Sequence, residues 1–119
     1  MKNTKEEQKL KSLSKMKCRA CEGLEDKLTA GQIKSHSTAI KDWKVIDNHH
    51  LLKDFKFKNF KEALAFVNKV GAIAESEGHH PDIELGWGRA SIKLYTHFIN
   101  GLSINDFILA SKIDEISKA

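Results

Sequence analysis

Three of the six histidines in this chain stand where they could act together. His79 and His80 are adjacent, just past a segment of helical periodicity and just before Pro81, and His97 lies at the end of a strand-like stretch. All three therefore sit at the ends of elements, where chain segments can converge. Imidazoles in differing surroundings supply a proton donor and a proton acceptor near neutral pH, each contributing about 10²–10⁴-fold to a rate. That chemistry suits an elimination or a dehydration. Glu75 precedes His79 by four residues, so on a continuous helix the two share a face and the carboxylate orients the imidazole or favours its cation, as does the helix C-terminus. The same groups are acceptable zinc or iron ligands, but no recognised metal spacing accompanies them, and no metal is expected. The other adjacent pair, His49-His50, falls beside a turn and reads as solvated surface without a role.

The elements that must carry these residues follow from local signals. Thr29 and Gln32 have capping-box spacing, and Ile33, Ser37 and Ile40 repeat at helical intervals, which predicts a first helix from Ala30 to about Lys41. Trp43 to Ile46 and Leu51 to Phe57 read as a hairpin around Asp47 and Asn48, with Phe55 and Phe57 on one face. Asn59 caps a longer helix with an apolar stripe of Phe60, Leu64, Val67, Gly71 and Ala74, widened by Ala63, Phe66, Val70 and Ile73. It should end near Gly78, with Pro81 soon after. Ile83 to Trp87 and Ser91 to Thr96 form a second hairpin bent around Gly86 and Gly88, and Ser103 with Asp106 opens a last helix. The order α-β-β-α-β-β-α predicts an α+β domain, a four-stranded antiparallel sheet with three helices on one face.

Composition narrows the function. At 119 residues, 40% hydrophobic and 30% charged, the chain is sized and balanced for one folded domain. The net charge of +4 resides in residues 1–17, which hold six lysines and two acids, while the remainder is neutral. We expect residues 1–17 to be a flexible, solvated tail and residues 18–119 to be the domain, with no direct nucleic-acid partner. No run suits a membrane span or a secretory signal, so a cytoplasmic protein is expected. Cys18 and Cys21 form a lone Cys-x-x-Cys without a second pair, and reduced, unbridged thiols are expected. No phosphate loop is present: Gly86-Trp87-Gly88 lacks a third glycine.

Glu75, His79-His80-Pro81, Trp87, His97 and Asp106, seven positions within 32 residues, resemble the signature of the pterin-4a-carbinolamine dehydratase family, also called the dimerisation-cofactor family. The likeness extends to Cys18-x-x-Cys21-Glu22-Gly23, Trp43, Phe55-x-Phe57 with Phe60, and Gly101-Leu102-Ser103, covering roughly residues 18 to 116. It implies the α+β fold already read, a homodimer or homotetramer, and loss of water from a 4a-hydroxytetrahydropterin to give quinonoid dihydropterin in tetrahydrobiopterin recycling. No metal or organic cofactor is implied. The resemblance makes His79, His80 and His97 the catalytic set and puts Glu75, Gly78, Pro81, Thr96 and Trp43 in contact with the pterin. An aromatic amino acid hydroxylase is the candidate pathway partner. Gly78 and Phe98 differ from the acidic residues of many animal members, which bears on substrate contacts. Trp87 and Asp106 read more simply as strand packing and a helix cap. The competing expectation is a protein-binding dimerisation or transcriptional cofactor without essential catalysis, for which a helix surface would be the working site and the histidines dispensable.

Overall fold

A computed structural model describes residues 13–18 and 26–117. Most of the lysine-rich tail, together with Cys21, Glu22 and Gly23, lies outside the described residues. Helix α1 spans Ala30–Ser37, strand β1 Lys44–Ile46, β2 His50–Lys56, α2 Phe60–Glu77, β3 Asp82–Gly86, β4 Arg89–Leu94 and α3 Ile104–Ser117, with a 3-10 turn at His97–Ile99 before α3. The strands form one antiparallel sheet in the order β1-β2-β4-β3. This is the α+β arrangement the sequence predicts.

Local chemistry sets most boundaries. At α1 both halves of the capping box form: Gln32 N–H donates to Thr29 Oγ1 at 3.2 Å, and Thr29 N–H to Gln32 Oε1 at 2.9 Å. The helix stops at Ser37, earlier than expected, because the following turn carries Ala39 and Ile40 into the core and Asp42 adopts φ +63° ahead of β1. Asp47 and Asn48 are also left-handed, at φ +53° and +51°, which the tight β1–β2 turn requires. Asn59 caps α2 by accepting Glu62 N–H at 2.9 Å. The second hairpin is shifted by one to two residues from the expected bounds, so Trp87 and Gly88 form its tip and Trp87 is 72% exposed. Gly88 is needed there: a Cβ would stand 2.9 Å from the Phe57 carbonyl oxygen, and Phe57 N–H already donates to Gly88 O at 2.8 Å.

The period of two along the strands decides which sheet face is buried. Leu51 pairs with Leu94 and Phe55 with Ala90, and with Ile92 they present one apolar face to the helices. From α2, Phe66, Val70 and Ala74 reach this layer, and the Phe66 ring lies 4.7 Å from that of Phe55 and 5.0 Å from that of Phe57. Helix α3 is embedded, and every residue from Asn105 to Ser111 is buried. It therefore carries polar side chains into the interior, where each must find a partner. Leu13 is 5% exposed in the same core, and Lys112 Nζ donates to Ser14 O at 2.9 Å, so the described part of the expected tail packs on the domain.

Candidate active site

Helix α2 delivers His79 and His80 by ending abruptly. Gly78 turns left-handed at φ +65°, its N–H donating to the Ala74 and Glu75 carbonyls, and His79 N–H caps Ala74 O at 3.2 Å. This break changes the partner expected for Glu75. A shared face with His79 presumes that the helix continues, whereas beyond Gly78 the chain reverses, so Glu75 Oε1 meets His80 Nε2 at 3.1 Å. That pair is exposed, His80 at 62% and Glu75 at 79%. His79 turns inward instead, its side chain 12% exposed, and its Nε2 lies 2.6 Å from Asp106 Oδ1.

Asp106 is the residue that reasoning from the sequence undervalued. Its carboxylate is fully buried and doubly employed: Oδ2 accepts Ser103 N–H at 3.0 Å and Thr96 Oγ1–H at 2.9 Å, while Oδ1 faces His79. Ser103 Oγ lies 2.8 Å from Thr96 Oγ1 and accepts Asn105 N–H at 3.2 Å. The spacing of Ser103 and Asp106 was a true capping signal, and the carboxylate that caps α3 also holds an imidazole. With Asp106 ionised its oxygens only accept, so His79 Nε2 carries the hydrogen and Nδ1 is left with the free lone pair.

These elements surround a cleft of about 700 Å³, within the range of small-molecule sites. His79, His80 and His97 all line it, with Gly78, Pro81 and Thr96, and Cys18, Tyr95, Phe98 and Asn105 complete much of the wall. His97 is exposed and stacks on Tyr95, centroids 4.2 Å apart and planes 12° apart. Glu75 touches the cluster only through His80. Trp43 is away from the cleft lining: it is buried in the core, edge-on to Phe55 at 6.1 Å, with Nε1–H donating to the Asp114 carboxylate at 3.0 Å. A planar indole with a single donor can serve packing and one internal bond as readily as a ligand. Cys18 N–H donates to Glu77 Oε1 at 2.8 Å, and burial, with the Glu77 carboxylate beside it, pushes the Cys18 thiol up to about 12, so it stays an unreactive thiol. Among the described residues no group of three His, Cys, Asp or Glu side chains could hold a metal ion.

The pair read as solvated surface is neither free nor fully exposed. His49 Nδ1 and His50 Nδ1 lie 3.0 Å apart, His49 Nε2 meets Asn100 Oδ1 at 2.8 Å, and the His49 ring packs on Tyr95 at 4.6 Å. Burial holds the His50 imidazole below its ordinary value of 6.5, helped by Lys93 and His49 and opposed by Asp47. The unfolded chain thus binds this proton more readily than the fold does. The resulting stability is present above pH 6.5 and is lost as the pH falls through the folded value. His50→Gln should flatten the acid limb of a plot of urea midpoint against pH below 6.5.

Comparison with known proteins gives the family. A model of the family described as Pterin 4 alpha carbinolamine dehydratase matches residues 26–116, which include every histidine of the cleft. The chain belongs to that family. A protein of Alkaliphilus metalliredigens named "Putative pterin-4-alpha-carbinolamine dehydratase" is 47% identical over 107 residues, covering 89% of this chain and 96% of its own. Its namesake in Rubrobacter xylanophilus is 43% identical over 107 residues, covering 90% and 100%. The crystal structure of a transcriptional coactivator/pterin dehydratase from Brucella melitensis superposes with TM-score 0.72 at 30% identity, over 76% of this chain and 97% of the other. A pterin dehydratase-like RuBisCO assembly factor of the alpha-carboxysome shares the fold at TM-score 0.57 and 22% identity, over 66% and 92%. Membership of the pterin-4-alpha-carbinolamine dehydratases, a hydro-lyase family, thus covers both the sheet and the histidine cleft.

Proposed function

We propose that this protein dehydrates 4a-hydroxytetrahydropterins by acid–base catalysis in the cleft formed by His79, His80 and His97. The observation that carries the reading is the pairing of His79 with the buried Asp106 on the wall of a cleft that two further imidazoles line. In the reaction the C4a–O bond breaks, N5 loses its proton, a C4a–N5 double bond forms, and the departing hydroxide receives a proton to leave as water. His79 Nδ1, the ring nitrogen not committed to Asp106, takes the N5 proton, and the carboxylate stabilises the positive charge that then arises on the ring. His97, exposed on the same wall, donates to the leaving hydroxide, and His80, oriented by Glu75, supports it. Gly78, Pro81 and Thr96 shape the floor on which the pterin rests.

With this reading come the finer expectations of the family: a cytoplasmic homodimer or homotetramer in tetrahydrobiopterin recycling, serving an aromatic amino acid hydroxylase. No described helix is long and apolar enough to cross a membrane. The double name of the Brucella neighbour brings a second role into view, protein binding as a coactivator. The intact His79–Asp106 pair, which such a role would not need, favours catalysis.

The test follows 4a-hydroxytetrahydropterin, generated by a hydroxylase, through its ultraviolet absorbance. Wild-type protein should accelerate its breakdown over the uncatalysed rate, and His79→Ala should lose about 10²–10⁴-fold of that acceleration. No acceleration by folded wild-type protein would sink the dehydratase reading.

A further inference from the structure

His49 and Asn100 are 51 residues apart in sequence, yet from the β1–β2 turn His49 reaches both sides of the turn that carries His97, Asn100 after it by a hydrogen bond and Tyr95 before it by a ring contact. We propose that His49 is a positioning residue for the dehydration, fixing the orientation of His97 through its stack on Tyr95 and its hydrogen bond to Asn100. The inference rests on the dehydratase reading for its kinetic consequence and on geometry alone for its structural one.

His97 lacks the support that His79 has. It is exposed, and its ring contact is the parallel face of Tyr95 at 4.2 Å. Tyr95 also packs on His49, centroids 4.6 Å apart and planes tilted by 39°, so a chain of ring contacts runs from the β1–β2 turn to His97. The segment from His97 to Asn100 is a short loop closed at its base by the bridge between Thr96 and Gly101. Its far end, Asn100, is left-handed at φ +48°, a conformation asparagine tolerates, and Asn100 Oδ1 accepts from His49 Nε2 at 2.8 Å. The loop is thereby held at both ends, and the outer tie comes from another part of the sheet.

The tie also dictates protonation. Because Nε2 of His49 donates to Asn100, its Nδ1 accepts in the neutral ring, and the hydrogen between the two rings comes from His50 Nδ1. One added proton can be taken by His50 Nε2 with the bond between the rings intact, whereas two would oppose N–H groups 3.0 Å apart. The charged and titratable groups around the pair are Asp47 on the turn, Lys93 on β4, Tyr95 just past its end, and His97 beyond Tyr95. Lys93 opposes a second positive charge, with its Nζ 5.4 Å from the Tyr95 ring centroid. In the neutral and in the singly protonated pair alike, His49 keeps the Nε2–H that holds Asn100.

Two measurements on the full-length protein test this. In proton–carbon NMR spectra the His97 ring resonances should carry the ring-current shift expected over the Tyr95 face, and His49→Ala should diminish it. Asn100→Gly, which keeps the left-handed turn and removes the acceptor, should do the same. In the dehydratase assay His49→Ala should lower kcat about ten- to hundredfold with KM within about twofold, the scale of a misplaced catalytic group. In a His97→Ala background it should cost nothing further, because its effect passes through that ring. Unchanged His97 shifts in both variants, or full additivity with His97→Ala, would overturn the proposal. If wild-type protein proves inactive, the dehydratase reading fails while the NMR shifts still decide whether His49 positions His97.

Discussion

Asp106→Asn is expected to lower kcat by about 10²–10⁴-fold while the protein remains folded, comparable to the loss when the carboxylate behind a catalytic histidine becomes an amide. The substitution is nearly isosteric, and an amide oxygen in the place of Oδ2 still accepts Ser103 N–H and Thr96 Oγ1–H, so the cap on α3 survives. The amide nitrogen then faces His79 Nε2, where a donor meets a donor. The imidazole must shift its hydrogen to Nδ1 and thereby loses the lone pair that would take the N5 proton. Urea denaturation and kcat measured on the same sample separate the two consequences: a large loss of rate with little change in midpoint supports the orienting role. Equal rates would remove Asp106 from the mechanism and leave it a helix cap alone.

Asp114→Ala should do the reverse, costing about 3 kcal/mol of stability with kcat unchanged. Asp114 is 7% exposed and accepts from both Trp43 Nε1 and Lys53 Nζ, the latter at 2.8 Å. Removing it strands an indole N–H and a largely buried ammonium on the core face of the sheet, although Lys53 keeps the Lys41 carbonyl at 2.9 Å, which puts the loss toward the lower end for a broken buried pair. Trp43→Phe, which removes only the indole donor and some packing, should cost less. Neither change alters the cleft lining. A raised KM for the pterin in Trp43→Phe would return that tryptophan to the substrate site.

What the sequence made legible was governed by separations of a few residues. Thr29 with Gln32, Asn59 with Glu62, and Gly78 at the end of α2 act over one helical turn, so their spacing carries their geometry. The period of two that put Phe55 and Phe57 on one face of the second strand worked in the same way, and Lys53, on that same face, is an exception whose partner, Asp114, lies 61 residues away. The site itself was half legible. The histidines were recognisable by type and position, but their partners were exchanged, because helical i,i+4 logic was carried one residue past the point where Gly78 ends the helix. Trp43 with Asp114 and His49 with Asn100 are pairings across the sheet and its loops, and nothing in their neighbours announces them. Asp106 was visible as a cap, and its second lone-pair direction was not.

The wall of the cleft at Cys18 has a further consequence. That residue belongs to a segment fastened to the rest of the fold by Leu13 in the core, by the Lys112 bond to Ser14 O, and by Cys18 N–H on Glu77. A molecule seated against Cys18 is therefore gripped by two parts of the chain at once, and the docking of one and the occupancy of the other share a single free energy. Whatever loosens the segment weakens the ligand by the same factor by which the ligand tightens the segment.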